Sequence, residues 1–342
     1  PQTASHLAFL DTYLLANNLN TNECHRSEVG TPDTWESNYF SAEAKEDNIK
    51  AILAENQELY LLGQRTLEVW HDTGASSPFE RLPGGYVPSG TIAGYTFKWC
   101  ADPVNTLVWL DNTKSLVALN GRMPQSLSGA LDRYLQQDGY VLSDAAGDYF
   151  KTVGHPFYAL HLPTQDETAV YDFKSGLWQN WSYYNSVSGD YERWRGNCVA
   201  LAPAWGKLLV GDRANGKVYT LDQETYQDNS DTLKFLVRTG HIDRGDIGAW
   251  KRTNYVNFRA KKTGVAEGGA TTITLVVRYR NDGETSWSND KTVTLSTLTG
   301  QTNYFGRLSR LGRYRTRQWE IYCTDNAPVA ILPPIEDYEV TY

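Results

Sequence analysis

The chain has 342 residues, 40% of them hydrophobic and 13% aromatic, with a net charge of −8 and a pI near 5.3. That is enough apolar material for a large core or two moderate ones, and it excludes a disordered chain. The acid excess excludes a surface built to neutralise phosphates, which needs a basic stripe, so any contact with nucleic acid must be local. No run of about eighteen apolar residues or charged-then-apolar leader is present, so a soluble protein without a membrane partner is expected.

Short strand–turn–strand units recur along the chain. They are Leu7–Ala16, Leu59–Trp70, Leu107–Leu119, Phe157–Asp172 and Lys207–Asp222. Each is an apolar run, a polar turn with Asp, Gly, Asn or Pro, and an alternating strand. The residues before the turns, Leu10, Leu62, Leu110, Leu162 and Gly211, are spaced by 52, 48, 52 and 49. A strand repeat of about fifty residues, each unit unable to bury both faces alone, predicts an all-β protein. The expected architecture is a β-propeller of six or seven blades, with the apolar strands near its axis.

Between the repeats, only Ser41–Glu55 and Ser126–Gln137 have helical content, at places where loops or short crossovers belong. Asp11, Asp111 and Asp212 begin turns directly after apolar strands, where Asp accepts backbone N–H groups, and this reading outweighs a catalytic one. Tyr171–Trp181 (YDFKSGLWQNW) places an Asp before a Gly-containing turn and Trp on the returning strand, a device for packing blades together.

From Lys251 the compact repeat is lost. Longer strands are predicted in Thr253–Ala260, Thr271–Asn281, Lys291–Leu295, Arg315–Thr324 and Pro328–Pro333, with a flexible loop at Thr263–Gly269. The expected domains are therefore 1–250, a propeller, and 251–342, either a larger terminal blade or a small appended sandwich.

Nothing in the chain predicts a catalytic residue, a metal or a cofactor. There is no nucleophile elbow, zinc-protease helix, Walker loop or dinucleotide fingerprint. His155 and His161 are the nearest histidine pair, but six residues along a strand would set them about 20 Å apart. Cys24, Cys100, Cys198 and Cys323 form no C-x-x-C pair and read as reduced, buried thiols. Arg280–Trp287 (RNDGETSW) resembles the Asp-box turn of sialidase propellers, with one residue too many before Trp287, and that turn is structural even in the enzymes. The densest positive charge is Arg307, Arg310, Arg313, Arg315 and Arg317, within eleven residues of an otherwise acidic chain. These arginines are the candidate interface, either for a partner or paired with the chain's own excess acid.

Several stretches together resemble the packaged-DNA stabilisation family of short-tailed bacteriophages. They are Phe9–Tyr13 (FLDTY), Tyr39–Ile49 (YFSAEAKEDNI), Glu58–Trp70 (ELYLLGQRTLEVW) and Gly74–Gly85 (GASSPFERLPGG). His161–Asp172, Lys207–Asp212, Asp282–Trp287 and Arg307–Arg313 extend the likeness through nearly the whole chain. The resemblance implies a non-enzymatic tail-hub subunit in a homo-oligomeric ring, a hexamer. Such a ring lies beneath the portal and its adaptor, continues and closes the DNA channel, and anchors the tail needle and spike or fibre proteins. It implies a place in the virion tail, assembly in the host cytoplasm, and at most non-specific contact with DNA. It also implies sequence before Phe9–Tyr13, which accords with Met123 as the only methionine. The alternative from a different class is a propeller glycoside hydrolase or carbohydrate-binding protein, which needs carboxylates facing across a cleft.

Overall fold

The computed structural model describes residues 3–222, 224–261, 272–295, 303–327 and 329–341. The Thr263–Gly269 loop lies outside them. The chain divides into two compact units, Pro1–Ser182 with Glu192–Leu221, and Tyr183–Tyr191 with Asp222–Tyr342.

The first unit is a succession of antiparallel sheets, each made from strands consecutive in the chain. The first holds Leu7–Leu10, Tyr13–Asn17, Glu23–Glu28 and Thr31–Ser41. The second holds Ile49–Glu55, Glu58–Gly63, Leu67–Asp72 and Phe79–Val87. Lys98–Cys100, Thr106–Leu110, Leu116–Asn120 and Met123–Ser126 make the third, and Ala146–Thr152, His155–Leu162, Glu167–Asp172 and Leu177–Asn180 the fourth. A three-stranded sheet of Gly196–Ala202, Lys207–Asp212 and Val218–Thr220 follows. Five of the expected six or seven blades are thus described in this unit.

The first strands of successive sheets adjoin one another. The core is divided accordingly, with each cluster lying between two neighbouring sheets. Leu59 and Leu61 pack back on Leu10, Leu15 and Cys24, while Tyr60 and Leu62 pack forward on Leu107, Trp109 and Val117. Val108 and Leu110 in turn meet Tyr158, Leu160 and Leu162. Phe157 and Ala159 complete the series among Val170, Val199 and Leu208. Since strand side chains alternate faces, a strand buried on both faces must be apolar at every position. This is why the buried positions 59–63, after the half-exposed Glu58, read LYLLG.

Two expectations are corrected here. Leu62, Leu110, Leu162 and Gly211 all lie in the second strand of their sheets, but Leu10 lies in the first, so the opening unit of the repeat is one strand out of phase. In the middle three sheets, therefore, the marked apolar strands stand one removed from those that adjoin. Within Ser41–Glu55, Ile49–Glu55 is the first strand of the second sheet and has no helical turn, because Ile49 and Ile52 fill the space against the first sheet and Ala51 the space against the third. Ser126–Gln137 keeps one turn of 3-10 helix, Gly129–Leu131, and one of α-helix, Asp132–Leu135.

The second unit contains two facing sheets. Phe235–Arg238, Arg317–Cys323, Ile273–Asn281 and Lys291–Leu295 form one, in that order. In the other, Trp250–Lys261 pairs with Asn303–Ser309, Arg313–Tyr314 and Ala330–Thr341. Val256, Phe258 and Ala260 of one sheet meet Leu275, Val277, Val293 and Ile321 of the other in a single core, which is the arrangement of a sandwich. Apart from Tyr183–Tyr191, the unit runs from Asp222, so a boundary at residue 250 falls inside it; the strand Phe235–Arg238 belongs here because it pairs with Arg317–Cys323.

Candidate interaction surface

The five clustered arginines separate into two groups. Arg307, Arg310, Arg313 and Arg315 are exposed. Arg307 lies 4.1 Å from the Tyr255 ring centre and donates from Nε to Asn257 Oδ1 at 2.8 Å. Arg313 and Arg315 come together over Trp250, 5.6 and 4.7 Å from its ring, and Arg313 donates to Thr341 Oγ1. Arg310 is at a left-handed corner, φ 60°. Arg307, Arg313 and Arg315 lean on rings of the strand Trp250–Lys261, and all four keep their charge in solvent, so they can meet an acidic surface.

Arg317 does not belong to that surface. It is fully buried, with its guanidinium 4.4, 4.1 and 5.3 Å from the rings of Tyr279, Tyr314 and Trp319. It donates to Asn281 Oδ1, Thr253 Oγ1 and the Leu311 carbonyl. Burial lowers its pKa, opposed by the nearby Tyr279 and Glu336. As a candidate interface residue it is therefore corrected to an interior tie. The turn in Arg280–Trp287 holds the same segment, since Asp282 Oδ1 accepts the N–H groups of Arg315 and Thr316 at 2.8 and 2.7 Å.

A second cationic group went unnoticed in the sequence because its members come from two segments some forty residues apart, 234–238 and 278–280. On the outer face of the sheet that begins with Phe235–Arg238, Arg238 and Arg278 both pair with the buried Glu320. Arg238, Arg278 and Arg280 all lie within 4.9 to 5.6 Å of the Trp287 ring centre. Lys234 sits 4.5, 5.4 and 4.4 Å from the rings of Tyr184, Tyr191 and Tyr322, with its pKa lowered by burial and by Arg278. The available sequence signal was alternation: Arg278 and Arg280 flank Tyr279 on a strand whose other face is apolar.

The remaining expected features are accounted for locally. Asp111 accepts the N–H groups of Thr113 and Ser115, and Asp212 those of Ala214 and Asn215, while Asp11 occupies a left-handed corner at φ 57°. His155 Nδ1 lies 2.8 Å from Asp172 Oδ2 and His161 Nε2 3.3 Å from Asp148 Oδ2, and both histidines stand in the one uninterrupted strand His155–Leu162. Trp178 donates to the Leu127 carbonyl and packs in the cluster between the third and fourth sheets. Cys24, Cys100 and Cys323 are buried free thiols; Cys198 is exposed, contrary to expectation, in a strand whose neighbours are also mostly exposed. Among the described residues no group of three His, Cys, Asp or Glu side chains is placed to hold a metal, and no helix is long and apolar enough to cross a membrane.

With this geometry in view, comparison with known proteins is decisive for the first unit. Residues 7–226 match the model of a phage stabilisation family described as bacteriophage P22 Gp10, β-propeller. The chain belongs to this family. The match ends at residue 226, just past Asp222, so the sandwich strands and the basic residues of both cationic groups lie outside it, while Tyr183–Tyr191 of the second unit lies within it. No curated protein matches. Solved structures resemble the chain only distantly. The extracellular domain of a one component system from B. thetaiotaomicron has 11% identity and a TM-score of 0.37 over 64% of this chain, which spans 26% of that one. YCF48 from Cyanidioschyzon merolae has 11% identity and a TM-score of 0.34, over 94% of this chain and 95% of that one. The dihydro-heme d1 dehydrogenase NirN in complex with DHE has 10% identity and a TM-score of 0.42, over 90% and 58%. At these values none bears on function.

Proposed function

We propose that the chain is a non-enzymatic tail-hub subunit of a short-tailed phage, which extends and closes the DNA channel below the portal and anchors needle and spike or fibre proteins. The observation that carries this reading is family membership over residues 7–226. A homo-oligomeric ring of six subunits, seated on the portal and its adaptor, is part of the proposal, as are assembly in the host cytoplasm and residence in the virion tail. Charge supports it. Divided at the unit boundaries, the sequence places 16 basic and 24 acidic side chains in the propeller and 16 of each in the sandwich, so the whole net charge of −8 belongs to the propeller. An acidic wall repels DNA phosphate and lets the duplex slide without being gripped.

In this ring Arg307, Arg310, Arg313 and Arg315 meet an acidic surface of a neighbouring subunit or tail protein. The test is reconstitution. Particles assembled without the protein should package DNA and then lose it, and the purified chain should restore retention. Arg310→Glu with Arg313→Glu should weaken ring formation in sedimentation while leaving the melting curve unchanged, since exposed charge changes shift stability by no more than about 0.5 kcal/mol. Equal DNA retention with and without the protein would overturn the proposal.

A further inference from the structure

The strand Phe235–Arg238 ends its sheet. It pairs with Arg317–Cys323 on one side, and no strand among the described residues pairs with the other. Leu233, Phe235 and Val237 are 44%, 38% and 40% exposed, so apolar side chains stand open beside this unpaired edge. Exposed, apolar edges are templates for strand addition, and proteins ordinarily protect them by shortness, charge or a covering loop.

The two sides of this edge differ in chemistry. On the inner side, Phe235 and Val237 stand at a cavity of about 350 Å³ whose walls include Ile242, Val256, Phe258 and Ile331. Its polar rim is largely satisfied within the unit, since Glu336 pairs with Arg244 and accepts from Thr253 and Tyr314. On the outer side stand Lys234, Arg238, Arg278 and Arg280. The acids facing them are Glu320, already shared between two guanidiniums, and Asp290, which accepts from the Tyr322 hydroxyl. Among the described residues, four cations thus stand against two acids on this face.

We propose that this edge binds an extended segment of a partner protein in which apolar residues alternate with Asp or Glu. Side chains of an added strand alternate with period two, so one set falls toward the cavity and the other toward the cationic face. Main-chain hydrogen bonds would supply affinity and the two unlike sides the specificity. Single-stranded nucleic acid satisfies the cations but leaves the apolar cavity unfilled, and a basic segment meets like charge. The inference does not depend on the tail-hub reading, because the edge lies beyond the residues of the family match.

The experiment uses the full chain and a labelled synthetic peptide of alternating valine and glutamate, followed by fluorescence anisotropy. The glutamate peptide should bind at least about tenfold more tightly than its lysine counterpart, since like charge at a contact is strongly disfavoured. Methylating alternate peptide nitrogens should abolish binding. Arg238→Gln with Arg280→Gln should weaken it about tenfold, and Val237→Asp, an exposed change that leaves Glu320 paired, should do so independently. Binding insensitive to peptide charge, no binding at all, or equal binding of a single-stranded oligonucleotide would overturn the proposal. So would concentration-dependent self-association lost on Val237→Asp, which would assign the edge to a second copy of the chain.

Discussion

The guanidinium of Arg317 lies 4.1 Å from the centre of the Tyr314 ring, fully enclosed, and its N–H groups reach Asn281, Thr253 and Leu311. A buried cation held by rings and neutral acceptors is worth more to the fold than an exposed ion pair, because removing it leaves both a cavity and unpaired acceptors. Arg317→Ala should cost about 3 kcal/mol or more in urea denaturation, whereas Arg310→Ala should stay within about 0.5 kcal/mol. Arg317→Lys cannot reproduce the planar fork and should fall between them.

In the propeller, Asp47 joins the loop before the second sheet to a turn inside it. Its carboxylate accepts the N–H groups of Gln64, Arg65 and Thr66, each at 2.8 Å, and the Thr66 hydroxyl at 3.0 Å. Gly63 makes room for it, since an added Cβ would lie 2.4 Å from Asp47 Oδ2. Asp47→Ala should lose about 2–4 kcal/mol by leaving these donors unpaired, and Gly63→Ala should destabilise through the clash. Thermal melting of the two single variants and the double variant should show that the effects are not additive.

Leu62 and Leu110 are fully buried in adjacent inter-sheet clusters. Truncation of either to Ala should cost about 2–5 kcal/mol by lost transfer energy plus a cavity. Because every cluster bridges two sheets, each change should loosen its neighbours as well. Hydrogen exchange should show reduced protection in the sheets on both sides of the altered cluster.

His6 provides a pH dependence. Burial, followed by the charge of Lys98, lowers its pKa from 6.5 to about 4. Its backbone N–H donates to Asn17 Oδ1 and its ring lies 4.9 Å from that of Tyr95. Between pH 6.5 and 4 the unfolded chain holds the extra proton and the folded one does not, so stability falls as pH drops through this window. For a half-buried ring the loss should be about 1–2 kcal/mol after solvent screening. His6→Gln should flatten that part of the stability profile measured by urea denaturation.

Much of the propeller was legible in the sequence for a local reason. A strand covered by a sheet on each side must be apolar throughout, and the turn after it needs Asp, Gly or Asn, so hairpins such as 58–72 and 155–172 announce themselves within a dozen residues or so. The all-β class, the repeat and the turn-capping role of Asp111 and Asp212 follow from this. Where burial comes from distant partners, local pattern fails. Ile49–Glu55, with Lys, Ala and Glu among its residues, has helical composition, but the apolar walls of the first and third sheets make it a strand. The sandwich begins at Asp222 because Phe235–Arg238 pairs with residues more than eighty positions later. Likewise, five arginines close together in sequence carry the same formal charge. Only the folding of Tyr279, Tyr314 and Trp319 around one of them made Arg317 part of the interior and left the other four on the surface.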